Sequence, residues 1–129
     1  MNDAPTLRLD GLRVAIIEDE LMIAMMIEDA LEAAGCRIVG LAGRLDEALA
    51  LIERERPEAA TLDANLAGTI SGPAARRLDA IGARYLVVTG YVEQTLADPD
   101  LAGAPRLPKP FTPKGLVAAA TRHLGRARP

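Results

Sequence analysis

The chain has 129 residues, the usual length of one domain and enough to bury a single core. Half the residues are hydrophobic but only three are aromatic (Tyr85, Tyr91 and Phe111), so the core must be built from aliphatic side chains. A net charge of −3 argues against nucleic-acid binding, the single Cys36 excludes an intramolecular disulfide, and no run approaches the roughly 18 apolar residues of a membrane span.

Met1 to Asp10 is polar, carries no apolar signal segment, and is read as an N-terminal extension (1–10) of a cytoplasmic protein. Leu12 to Ile17 is rich in branched apolar residues and stops abruptly at Glu18-Asp19-Glu20, the pattern of a buried parallel strand. Residues 20 to 34 alternate apolar and acidic positions at helical spacing and meet Gly35, a helix stop. Met22, Met25 and Met26 are expected to fill the core on this helix, and Cys36 to be a buried small hydrophobe. The pattern then repeats. Arg37 to Leu41 reads as a strand, and 45 to 55 as a helix that Pro57 forbids from continuing. Glu58 to Leu62 is a strand ending at Asp63. A helix over Ala74 to Ile81 has Ser71 as its expected N-cap and Pro73 in its first turn. Tyr85 to Val88 is a strand ending at Thr89. The stretch 92 to 105 is broken by Pro99, Gly103 and Pro105, and holds at most a short helix near Val92 to Ala97. Arg106-Leu107 is a short fifth strand. Thr112 caps a last helix, with Pro113 at its first position, that runs to about Leu124. Arg122, Arg126 and Arg128 are read as complementing the dipole of that helix, and 126–129 as a tail.

Five strands alternating with five helices imply one α/β domain over 11–125, a parallel sheet wound on both faces. Sites in such sheets form beyond the C-terminal strand ends. The polar residues there are Glu18 and Asp19, Asp63, Thr89 and Lys109. Three crowded carboxylates repel one another unless a cation offsets them, and hard oxygen ligands suit Mg2+. A carboxylate can accept a phosphoryl group as a nucleophile, and a hydroxyl and an ammonium opposite it suit the incoming group. Each residue alone has a plainer reading as a cap, a turn or a solvated charge.

Val14-Ala15-Ile16-Ile17-Glu18-Asp19-Glu20, Leu62-Asp63-Ala64-Asn65-Leu66, Val88-Thr89-Gly90 and Lys109-Pro110-Phe111 together resemble the receiver domains of bacterial two-component response regulators. The resemblance covers about residues 11 to 125, with four blocks in order and a matching separation of Asp19 from Asp63. It implies a flavodoxin-like, CheY-like fold. It further implies Asp63 as phosphoryl acceptor, Asp19 as the main Mg2+ ligand and Glu18 as the second acid, acting through a water. Asn65 matches the position whose backbone carbonyl completes the metal site. Thr89 matches the hydroxyl that bonds the phosphoryl oxygen, and Lys109 the lysine that pairs with Asp63 and then with its phosphate. Pro110 matches a proline often preceded by a cis bond. In two places the sequence departs from the pattern. Arg106 stands where a switch Tyr or Phe is usual, and the fourth helix is weak. Thr89-Gly90-Tyr91 partly resembles an alphaproteobacterial subgroup with a Phe-Ala-Thr-Gly-x-Tyr signature. Here Val87 and Val88 replace Phe-Ala, and the Tyr comes one position early.

The implied function is that of a single-domain response regulator, not an enzyme. Its partners would be a sensor histidine kinase, of the HWE or a related type, or a histidine phosphotransfer protein, and a downstream protein target. With nothing after Leu124 to fold, the signal is expected to pass through protein contacts, onward phosphotransfer or action as a phosphate sink. The alternative is a receiver-like adaptor that is never phosphorylated. An aspartyl phosphatase would want a second acid where Asn65 stands, and a flavodoxin-like cofactor binder would want a glycine loop where Glu18-Asp19-Glu20 stands. Arg106 is expected at the surface, because burying its charge unpaired is costly. Tyr91 is the nearest aromatic, read either as the side chain that moves in its place or as a partly buried packing residue.

Overall fold

Each run expected to be a strand forms one, and three of them stop at an acid or a hydroxyl. In the computed structural model, which describes residues 6–90, 95 and 97–127, these are β2 (Arg13–Ile17), β3 (Arg37–Ala42), β4 (Ala59–Asp63), β7 (Arg84–Thr89) and β8 (Arg106–Pro108). They make one parallel sheet in the order β3-β2-β4-β7-β8. β2, β4 and β7 are buried along almost their whole length, which is why they read as continuous apolar runs.

Four helices are formed by the described residues: α1 (Leu21–Ala33), α2 (Leu45–Glu55), α3 (Gly72–Ala80) and α4 (Pro113–Leu124). One face of the sheet packs against α2 and α3 through Ala48, Leu51, Ile52, Ala74 and Leu78. The other packs against α1 and α4 through Ala24, Ile27, Leu31, Leu116 and Leu124. Of the short helix expected near 92–97, only Thr95 and Ala97 are among the described residues.

The expected stops hold. Gly35 follows α1 at φ +98, and Thr112 Oγ1 accepts the Gly115 amide at 3.0 Å ahead of Pro113. Three expectations need correction. Met22 and Met25 do not fill the core: they are 81% and 49% exposed, because Ala24, Ile27 and Leu31 take the buried face of α1. Ser71 precedes α3, but its hydroxyl caps nothing; Ala74 N donates to the Ser71 carbonyl instead. Arg126 does not serve the end of α4. It lies in a short strand β9 (Arg126–Ala127) and bonds Glu58 Oε2 at 2.8 Å.

Two small ladders lie outside the main sheet. β1 (Leu7–Arg8) pairs antiparallel with β9, tying the two ends of the described chain together. β5 (Asn65–Leu66) and β6 (Thr69–Ile70) form a tight hairpin just after β4. Its turn residues Ala67 and Gly68 have φ of +51 and +93, the left-handed pair that a two-residue hairpin turn demands.

Candidate functional site

The parallel topology brings the ends of β2, β4, β7 and β8 to one edge. Glu18 follows β2, Asp63 ends β4, Thr89 ends β7, and Lys109 follows β8. Glu18, Asp63 and Thr89 are all at most 5% exposed. Lys109 Nζ donates to Asp63 Oδ2 at 3.1 Å and to Glu18 Oε2 at 3.1 Å. The second Asp63 oxygen accepts the Asn65 amide at 3.1 Å. Lys109 N donates to the Thr89 carbonyl at 2.9 Å, which fixes the loop after β8 against β7. The Lys109–Pro110 peptide is cis, as the resemblance implies.

Burial governs the charges. It is the main cause that pushes the Glu18 carboxyl up to about 8, and the Asp63 carboxylate beside it pushes the same way. Burial also raises Asp63, against the opposing pull of the Asn65 amide and Lys109. For Lys109 burial works toward deprotonation, but the Asp63 and Glu18 carboxylates outweigh it and hold the ammonium protonated.

One carboxylate oxygen from each of Glu18, Asp19 and Asp63 lies within 4.8 Å of the other two. Glu18 Oε1 is buried and accepts no hydrogen bond among the described residues, although Lys109 Nζ stands 3.1 Å away in poor alignment. An orphaned oxygen in an all-oxygen acidic cluster fits a small hard cation such as Mg2+. Asp19 is the exposed member, and its Oδ2 accepts the Ala67 amide at 3.2 Å. Asn65 stands at the mouth of the site beside Asp19, Asp63, Gly90 and Lys109. All six residues singled out in the sequence therefore lie at this edge. The contribution of Ala67 was not legible, because a backbone amide leaves no signal in residue type. Arg106 is exposed and donates to the Ala102 carbonyl at 3.1 Å, as its charge requires. Tyr91 lies outside the described residues.

No protein-family model matches the chain. The receiver domain of the response regulator PhyR from Erythrobacter litoralis superimposes with a TM-score of 0.76 at 27% identity, covering 88% of each chain. SdrG from Sphingomonas melonis Fr1 has a TM-score of 0.73 at 37% identity, over 84% of this chain and 92% of that one. This chain belongs to the response regulator receiver family. The phyllosphere-induced regulator PhyR of Methylorubrum extorquens is 32% identical over 119 residues. That match takes in 86% of this receiver chain but only 43% of that protein, so the chain spans less than half the length of that relative.

Proposed function

We propose that this receiver accepts a phosphoryl group on Asp63 from the phosphohistidine of a sensor histidine kinase or a histidine phosphotransfer protein. The observation that carries the reading is Lys109 Nζ, 3.1 Å from both Asp63 and Glu18 at an edge where a third carboxylate also converges. An Asp63 oxygen would attack phosphorus in line with the donor's N–P bond. The O–P bond forms as the N–P bond breaks, and the imidazole leaves with the bonding pair. Lys109, released from part of its pairing with Asp63, would follow the charge onto a phosphoryl oxygen, and the Thr89 hydroxyl would donate to another. Glu18, Asp19, Asp63 and the Asn65 backbone carbonyl would hold Mg2+, which when bound supplies positive charge against the acids and the phosphoryl oxygens.

A protein donor also suits the surface. Leu21, Met22 and Met25 expose apolar side chains on α1, which begins directly after the acidic segment. Among the described residues no helix is long and apolar enough to cross a membrane, in keeping with a role in the cytoplasm. Phosphorylation would be passed on through contacts with a downstream protein.

Incubation with a small phosphodonor and Mg2+, followed by intact-mass measurement, tests the acceptor. The wild type gains phosphate and Asp63→Asn gains none while remaining folded. Uptake by Asp63→Asn at the wild-type rate would show the assignment to be wrong, and no uptake by either protein would favour an unphosphorylated adaptor.

A further inference from the structure

Asp19 is held differently from the other two acids of the site. Glu18 and Asp63 are buried and share Lys109, whereas Asp19 is exposed and, among the described residues, pairs with no Lys or Arg. A lone exposed carboxylate turns freely about its side-chain bonds, and an acid that must present an oxygen to a cation loses affinity by doing so. The donor that meets it comes from 48 residues away: the Ala67 amide, 3.2 Å from Asp19 Oδ2.

That amide is available because of an unusual backbone. Ala67 and Arg56 are the two non-glycine residues with positive φ among those described. A left-handed conformation strains a residue with a Cβ and persists only where surrounding structure enforces it. Here a strand pairing and two hydrogen bonds do so. β5 and β6 pair on either side of the turn, Gly68 N donates to Asn65 Oδ1 at 2.7 Å, and Ser71 N donates to the Ala64 carbonyl at 2.9 Å. The hairpin is thus anchored to the strand that ends in Asp63 and reaches across to the segment that follows β2.

We propose that Ala67 is a positioning residue, whose backbone amide fixes the rotation of the Asp19 carboxylate so that its oxygen stays with those of Glu18 and Asp63. This rests on the reading of Asp19 as a metal-holding group. The side chain of Ala67 contributes nothing to the contact. What matters is an N–H at a position with positive φ, so glycine can replace alanine and proline cannot.

An ester in place of the Leu66–Ala67 peptide bond, introduced by chemical ligation, removes the N–H and leaves every side chain unchanged. Mg2+ affinity, read by calorimetric titration, should fall about tenfold, the lower end of the loss expected when a supporting partner of a metal ligand is removed. Ala67→Gly should bind Mg2+ within about twofold of wild type, because it keeps the donor and fits the turn. In chelator, the ester and wild-type proteins should melt at similar temperatures, with the difference opening only as Mg2+ is added. A difference of the same size with and without Mg2+ would make the bond merely structural and overturn the proposal. Wild-type affinity in the ester protein would overturn it too, leaving the role of Asp19 intact. If the wild type binds no Mg2+ at all, the metal reading fails and this proposal fails with it.

Discussion

Lys109 satisfies two carboxylates with one ammonium, and the site's poise follows from that shortage. Burial pushes Glu18 up to about 8, so near neutral pH and without a cation the pair Glu18 and Asp63 carries less than two full charges. Arg106 shows the opposite solution. Its charge stays at the surface and, among the described residues, its fork donates to the Ala102 carbonyl, so an aromatic-style slot is not filled from position 106. Cys36 is the plainest case of burial acting on one residue. It is 7% exposed, and burial pushes its thiol up to about 11 from an ordinary 9.0. The folded protein therefore holds this proton more tightly than the unfolded chain between those values, so the contribution of Cys36 to stability is lost as pH rises from 9.0 toward 11. Because the thiolate is the nucleophile, alkylation by iodoacetamide at pH 8 should run about 100-fold slower in the folded protein than in urea. It should accelerate steadily toward pH 11. A folded-state rate within about threefold of the unfolded one at pH 8 would contradict a buried, protonated thiol.

Elements differed in how plainly the sequence announced them, and length explains the difference. β2, β4 and β7 have five or six residues; Glu18 follows the first, and Asp63 and Thr89 end the other two, so composition and its abrupt break both point to them. β1, β5, β6 and β9 have two residues each, too few for any periodicity to register. The hairpin turn was further hidden because its first left-handed position holds Ala67 in place of the usual Asn or Gly. Met22 and Met25 of α1 were misjudged because apolar residues surround most of the first turns, and only packing reveals which stripe faces the sheet. The β1–β9 ladder depends on one glycine. A Cβ on Gly125 would stand 2.4 Å from the Thr121 carbonyl oxygen and 3.1 Å from Leu7 Cβ, trapped between the last turn of α4 and β1. Gly125→Ala should therefore cost about 1–3 kcal/mol in urea unfolding, the range for overpacking. Phosphate uptake should survive, since the ladder lies at the far end of the sheet. A variant as stable as wild type would mean that β9 moves aside without loss.

The whole molecule separates stability from chemistry by placing them at opposite ends of the same strands. At the N-terminal ends, Arg126 bonds Glu58, Arg84 donates to the Gly125 carbonyl at 2.8 Å, and the β1–β9 ladder joins the two ends of the described residues. At the C-terminal ends, Glu18 and Lys109 meet although 91 residues apart, which only parallel pairing of successive strands achieves. That convergence was legible because the rule locating sites in parallel sheets needs only the order of the strands, not their exact bounds. Three acids at one edge weaken the fold until a cation offsets them. Mg2+ bound to the folded state alone should raise stability by about 1.4 kcal/mol at tenfold excess over its dissociation constant, or about 5 °C for a domain this size. Asp19→Ala removes one like charge and one ligand together. In chelator it should melt at or above the wild-type temperature, and added Mg2+ should then shift it by less than about 1 °C. Thermal melts of both proteins across a Mg2+ series decide the matter: equal Mg2+-dependent shifts would exclude Asp19 as a ligand, and a lower melting temperature of Asp19→Ala in chelator would mean that the bond to Ala67 outweighs the repulsion it holds in place.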